Sequence, residues 1–248
     1  VKIKTVGLIG FGRFGAMAYQ YLRKCKDLLV YDADSRKLEA CPDAATLDEV
    51  SRADAILLTV PISALRDLCR QIAPKLVSGQ LIIDACSVKR HPVEWMLEEL
   101  PSNVQVLGTH PLFGPDSGRG GIAGLRIAVC PVRVDATVRR QVNAYLSSLG
   151  LEVIETTPEE HDLQIARTQA VFHLIAQAFK RLNWGGERIT TPGPETFFNL
   201  VKTVQNDTDQ LFFDLQSQNP YAHAAREEFA RELERINAEL RGQLDERD

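Results

Sequence analysis

No run of apolar residues in this chain approaches the ~20 needed to cross a bilayer, so no membrane-spanning helix is expected. No lysine- or arginine-rich stripe is present either: Lys and Arg number 29 against 33 Asp and Glu, a formal net charge of −4. That balance argues against nucleic acid and anionic membrane as partners. Cysteine is scarce and scattered. The five (Cys25, Cys41, Cys69, Cys86 and Cys130) are odd in number and form no C-x-x-C pair. A disulfide framework and a zinc site are therefore not expected, and a reducing compartment is. No signal or transit segment is visible ahead of the first strand pattern in Val1-Lys-Ile-Lys-Thr-Val, so a cytoplasmic location is expected. Internal repeats and low-complexity segments are missing as well.

What is present suits one large domain or two modest ones: 248 residues, 44% of them hydrophobic. Short apolar runs at Val6–Ile9, Leu28–Tyr31, Ala55–Val60, Leu81–Ile83 and Val104–Leu107 read as buried parallel strands, with Leu125–Cys130 and Leu151–Ile154 as two more. Helical patterns such as Ala16–Lys24 and Ala64–Ile72 lie between them. This alternation predicts an α/β class chain with a doubly wound, mostly parallel (Rossmann) sheet over residues 1–155. After Ile154 the pattern turns helical. Thr157-Pro158-Glu159-Glu160 supplies a cap, a proline at the first helical position and a glutamate three residues after the cap. Residues 156–248 are expected to form an all-helical substrate and dimerisation domain. Its helices are predicted at about Pro158–Asn183, about Pro194–Gln218, and beyond Asn219-Pro220. The last places Phe229, Leu233, Ile236, Leu240 and Leu244 on one stripe. That stripe packs either on its own subunit or on a second copy, and a homodimer through these helices is the working expectation.

Gly10-Phe-Gly12-Arg13-Phe14-Gly15 follows the first strand, opens a helix at Ala16 and precedes an acidic residue, Asp32, at the next strand end. In that context G-x-G-x-x-G is a dinucleotide fingerprint. Gly10 permits the tight turn, Gly12 lets a pyrophosphate approach the backbone, and Gly15 allows close helix–sheet contact. The helix N-terminus offers free N–H groups to the phosphates. Asp32 is placed to accept from the adenosine ribose and to repel a 2′-phosphate, favouring NAD over NADP, although Arg36 can offset that repulsion.

Ligands of a doubly wound sheet sit beyond the carboxyl ends of its strands. Those ends carry Gly10, Asp32, Val60-Pro61, Asp84-Ala-Cys-Ser87 and Gly108-Thr-His110. Val60 and Pro61 are therefore added to the cofactor-binding set. Ser87 and His110 leave successive strands at one edge, where an imidazole can accept a proton beside a hydride transfer and a hydroxyl can orient it. Ser87 can equally be a helix cap, and Cys86 beside it reads as a small buried hydrophobe. On the first C-terminal helix, His161, Thr168, Gln169 and His173 share one arc with Ile165 and Phe172 at 100° per residue. They are either bonded to one another and to water or line a substrate pocket.

These segments together resemble the prephenate/arogenate dehydrogenase (TyrA) family of tyrosine biosynthesis across nearly the whole chain. The resemblance rests on Gly10–Gly15, Asp84-Ala-Cys-Ser87-Val-Lys89, Gly108-Thr-His110-Pro-Leu-Phe-Gly-Pro-Asp116-Ser-Gly118, and Glu160-His161-Asp162 with Gln169 and His173. It implies oxidative decarboxylation of a cyclohexadienyl substrate with NAD (NADP possible) and no metal. His110 is then the base or acceptor for the substrate hydroxyl, and Ser87 holds His110 and that hydroxyl in line. His161, Gln169 and His173 then line the substrate pocket. The chain departs from many bacterial members in Thr191–Lys202, which lacks their carboxylate-binding arginine. Lys202 is the substitute cation, as a point charge rather than a fork. Asp162 is a hint of an amino-group partner, which leans the reading to arogenate. The absence of a regulatory or fused mutase segment suggests no feedback through such a module. Two alternatives stand beside this reading. One is a β-hydroxyacid or imine dehydrogenase using Lys180 or Lys202. The other is an NAD-binding regulatory protein without turnover.

Overall fold

The computed structural model describes residues 3–24, 27–204 and 206–245, with no side-chain description at 244 and 245. Cys25 and the Leu244 side chain therefore lie outside the described residues. The chain divides into two compact units, Val1–His161 and Asp162–Asp248.

The first unit is a seven-stranded sheet. In chain order it comprises β1 (Thr5–Ile9), α1 (Arg13–Leu22), β2 (Asp27–Tyr31), α2 (Leu47–Val50), β3 (Ala55–Leu58), α3 (Ile62–Ile72), β4 (Leu81–Asp84) and α4 (Arg90–Glu99). β5 (Gln105–Pro111), β6 (Arg126–Arg133), α5 (Ala136–Ser148), β7 (Glu152–Glu155) and the start of α6 (Pro158–Ile165) complete it. The strand order is β2-β1-β3-β4-β5-β6-β7, and every pair is parallel except β5 with β6. This is the predicted α/β, doubly wound sheet. Its centre is apolar: Leu8, Ile56, Leu58, Ile82, Val106 and Leu107 are fully buried, as expected of strands covered by helices. Between α1 and α5 the sheet keeps a cavity of about 730 Å³, lined among others by Val6, Phe14, Met17, Leu57, Ile83 and Tyr145.

One boundary differs from expectation in a way that matters. The strand expected to stop at Leu107 continues to Pro111, so His110 lies inside β5 and not on a loop beyond it. The antiparallel partner supplies the reason: β6 pairs residue for residue along this extension, with His110 opposite Ala128. A hydrogen-bonded strand fixes the imidazole's backbone more firmly than the flanking glycines and prolines alone.

In the second unit α6 passes into a π-helical turn, Ala166–Ala170, and then α7 (Val171–Leu182). Thr157 caps α6 as predicted, its Oγ1 accepting from the Glu160 N–H at 3.1 Å, and α7 ends on left-handed Asn183. The helix expected over Pro194–Gln218 is two helices, α8 (Pro192–Lys202) and α9 (Asp209–Gln218). Thr208 accounts for the break, since its side chain accepts from the Leu211 N–H and starts a new helix. α10 (Ala222–Asp245) follows. Gln216 donates to the Ala170 carbonyl at 2.7 Å and Asn219 to the Asp162 carbonyl at 2.8 Å, so buried amides tie α9 and its C-terminal end back to the first helices. Phe179 packs against Phe197, Phe198 and Trp184 with ring centroids 5.1–5.7 Å apart. Among the described residues no helix is long and apolar enough to cross a membrane.

A side chain at Gly15 has no room: a Cβ there would sit 2.0 Å from the Gly10 carbonyl oxygen. Gly15→Ala should cost at least about 1–3 kcal/mol, read as a lower urea midpoint at unchanged slope. An unchanged midpoint would show that α1 can move off the strand end.

Candidate active site

The nucleotide edge is built by β1, β2 and β3. Gly10 has φ of 102°, a left-handed turn that L side chains rarely adopt, and its N–H donates to the Tyr31 carbonyl. Thr59, at the end of β3, locks the loop by donating its hydroxyl to the Gly10 carbonyl at 2.6 Å. Gly12 has nothing within 4 Å of where a Cβ would be, leaving space for a pyrophosphate at the start of α1. Asp32 points at this loop, accepting from the Phe11 N–H at 2.6 Å. Arg13 pairs with Asp116 at 2.7 Å, which joins the glycine loop to the segment after β5. Phe14 turns instead toward the cavity on the sheet face. Val60 is half-buried beyond β3, and Pro61 is exposed and starts α3. These residues fit a dinucleotide: an open backbone cradle, a helix N-terminus and a carboxylate at the second strand.

The chemical edge is built by β4 and β5. Lys89 and Asp84 are both fully buried and form an ion pair. The Lys89 ammonium also donates to the Thr109 carbonyl at 2.6 Å. Asp84 further accepts from the N–H groups of Cys86 and Thr109, and the Thr109 hydroxyl donates to the Asp84 carbonyl at 2.6 Å. The two strand ends are thereby clamped immediately beside Ser87 and His110. Ser87 is buried, and its Oγ has no hydrogen-bond partner among the described residues. His110 does not bond the Ser87 hydroxyl, the partner that the resemblance implied for it. Its Nδ1 lies 2.9 Å from Nε2 of buried His161, delivered by the first turn of α6. Burial, then the neighbouring His161, then the Lys89 charge hold the His110 imidazole well below its usual range, so it is uncharged at neutral pH. Cys86 is the inert neighbour: burial pushes its thiol well above the usual value.

In the second unit the expected single arc is broken. The π-helical turn inserts extra residues between His161 and His173, so a fixed 100° step misplaces everything after Ala166. Gln169 lies in that turn and is half-buried, whereas Thr168 is exposed and bonds back to the Gln164 carbonyl. His173 is buried on α7 and borders a small cavity with Gln177, Lys180, Val201 and Asp207. Lys202 is exposed at the end of α8, donating to Asn199 at 3.3 Å. Asp162 is fully buried. Among the described residues no group of three His, Cys, Asp or Glu side chains is placed to hold a metal ion.

Residues 22–124 match the family described as prephenate dehydrogenase, nucleotide-binding domain, and residues 178–248 match the TYRAAT1-like C-terminal domain. Arogenate dehydrogenase 1 of Arabidopsis thaliana is 28% identical over 96% of this chain. Arogenate dehydrogenase 2 of the same plant is 27% identical over the same share. The chain spans 39% of the length of the first and 70% of the second. Residues 22–124 are thus similar to the nucleotide-binding domain of prephenate dehydrogenases. A crystal structure of Aquifex aeolicus prephenate dehydrogenase with hydroxyphenyl propionate and NAD+ shares the fold, with a TM-score of 0.78. It is 17% identical, and the match covers 99% of this chain and 93% of that one. Residues 22–124 lie within the first unit and include Asp32, Ser87 and His110.

Three features of this chain have no signal in its sequence. The His110–His161 contact spans 51 positions and has no periodic signal. Lys89 lies within a motif that gives it no role, because a lysine normally reads as surface. The Arg13–Asp116 bridge joins residues 103 positions apart. Removing the buried ammonium in Lys89→Met leaves Asp84 unpaired and should cost about 3–5 kcal/mol, measured by urea unfolding; a loss below about 1 kcal/mol would show water reaching the carboxylate. Burial pushes His173 down to about 4. The unfolded chain therefore takes up a proton below about pH 6.5 that the folded one refuses. Stability should fall as pH drops from about 6.5 toward 4, by up to about 1.4 kcal/mol per pH unit from this residue. The same slope should be shallower in His173→Gln when Tm is followed against pH. Equal slopes in the two proteins would remove the assignment.

Proposed function

We propose that this protein catalyses NAD(P)-dependent oxidative decarboxylation of arogenate or prephenate, giving tyrosine or 4-hydroxyphenylpyruvate. The observation that carries the reading is an uncharged, buried imidazole, His110, on β5, whose neighbouring strand β4 leads into Ser87 and its buried, unpartnered hydroxyl. In the tautomer whose Nδ1–H donates to His161 Nε2, His110 presents its own Nε2 as an acceptor. Bound NAD supplies the hydride acceptor at C4 of the substrate. His110 takes the hydroxyl proton as C4 becomes a carbonyl, and Ser87 holds that oxygen. Loss of the ring carboxylate as carbon dioxide puts an electron pair into the ring, and the proton returns to the oxygen of the resulting phenol. A weak base suffices because aromatisation drives the reaction. Gln169, His173 and Lys202 are proposed as substrate-binding residues alongside His161.

Arogenate is favoured as substrate. Thr191–Lys202 lacks an arginine, and the two plant relatives covering 96% of the chain are named for arogenate. The lysines that a β-hydroxyacid mechanism would use, Lys180 and Lys202, are exposed on their helices. α10 leaves Leu233, Ile236 and Leu240 about half exposed along one stripe, which supports a homodimer through the C-terminal helices. No disulfide is formed among the described cysteines, which supports a cytoplasmic location.

The direct test supplies arogenate or prephenate with NAD or NADP and follows the reduced nicotinamide. Turnover is expected with at least one pair, and His110→Asn should lower kcat by ~10²–10⁴ with cofactor affinity retained. Silence in all four combinations, or an unaltered kcat in the variant, would defeat the proposal.

A further inference from the structure

Asp32 is already saturated. An ionised carboxylate offers about four acceptor positions. Its Oδ2 takes the Phe11 N–H at 2.6 Å and its Oδ1 the Asp34 N–H at 2.8 Å, and the Lys37 ammonium reaches both oxygens at 3.1 and 3.2 Å. Lys37 gets there because the 3₁₀ turn Ser35–Leu38, capped by Asp34, folds the chain back over the end of β2. Asp32 is nearly covered while Lys37 remains 45% exposed, so the ammonium can leave and the carboxylate cannot. Arg36, the cation expected from sequence to moderate Asp32, is engaged elsewhere: its guanidinium grips Asp34 through Nε and Nη2 at 2.8 and 2.9 Å.

We propose that Lys37 governs the choice between dinucleotides with and without a 2′-phosphate, by competing with the ribose hydroxyls for Asp32 and pairing with the 2′-phosphate when one is present. For a ribose diol to donate to Asp32, Lys37 must give up its two positions there. The released ammonium then stands at the ribose edge. A 2′-phosphate gives it a partner and offsets the repulsion from Asp32. A 2′-hydroxyl gives it none, and it turns to solvent. Lys37 thus opposes NAD slightly and supports NADP, the reverse of the preference that Asp32 alone would impose. This rests on the dinucleotide reading of the first unit and not on the identity of the oxidised substrate.

The test needs no turnover. Binding of NADH and NADPH to the full chain is followed by nucleotide fluorescence, for the unmodified protein, Lys37→Ala, Lys37→Arg and Arg36→Ala. The unmodified protein is expected to bind both. Lys37→Ala should weaken NADPH about 10–100-fold while NADH affinity is unchanged or improved. Lys37→Arg should keep NADPH within about threefold, and Arg36→Ala should shift the ratio far less than Lys37→Ala. Equal weakening of both nucleotides in Lys37→Ala, an unchanged ratio, or a larger effect at Arg36 overturns the inference, as does the absence of NADPH binding to the unmodified protein. If NADH does not bind that protein either, the dinucleotide reading itself fails and the inference with it.

Discussion

A buried ammonium decides the geometry of this site. Lys89 sits with no solvent exposure between the Asp84 carboxylate and the Thr109 carbonyl, one from β4 and the other from β5. Moving a charge out of water costs several kcal/mol unless every partner is in place. The strand ends therefore have little freedom to separate or slip. Asp84 adds bonds to the Cys86 and Thr109 N–H groups, so the same carboxylate organises the turn leading to Ser87 and the approach to His110. Of the two residues proposed to touch the substrate hydroxyl, His110 follows Thr109, and Ser87 follows Cys86, whose N–H Asp84 holds.

The same charge influences the chemistry above it. An uncharged His110 is what a proton acceptor needs, and three conditions favour it: burial, a second imidazole against Nδ1, and a cation nearby. None acts through the glycines and prolines around position 110. Ser87 shows the complementary state. Its hydroxyl is buried without a partner, which is costly unless something else completes it. A substrate oxygen would satisfy that requirement.

The nucleotide edge is coupled to the chemical edge by a contact at the surface. Arg13 follows Gly12 and reaches Asp116, which also holds Arg119 at 3.0 Å. The residue at the head of α1 thus braces the segment that leaves β5 after His110. At the far end of the same loop Asp32 accepts from Phe11, with Lys37 closing over it. The two carboxylates thus hold the residues on either side of Gly12, Asp32 through the Phe11 N–H and Asp116 through the Arg13 guanidinium.

Much of this was legible in the chain itself. The strands, the glycine turn, the acidic residue after β2 and the Thr157 cap follow from period, spacing and capping chemistry, which are local and so are written in consecutive residues. Local rules erred where a non-local partner or an irregular turn intervened. β5 runs on to Pro111 because β6 pairs with it, and the helix after Pro192 stops because Thr208 starts another. The π-helical turn at Ala166–Ala170 shifted the face on which His173 was placed. The sequence by itself determined the class of fold and the residue types at each strand end. Tertiary structure alone decided that His110 would lean on His161, that Lys89 would be buried on Asp84, and that Lys37 rather than Arg36 would cover Asp32. The first two are contacts between fully or nearly fully buried side chains whose strength depends on exclusion of water, which no spacing of residues records, and the third follows from how the turn Ser35–Leu38 lies over the end of β2.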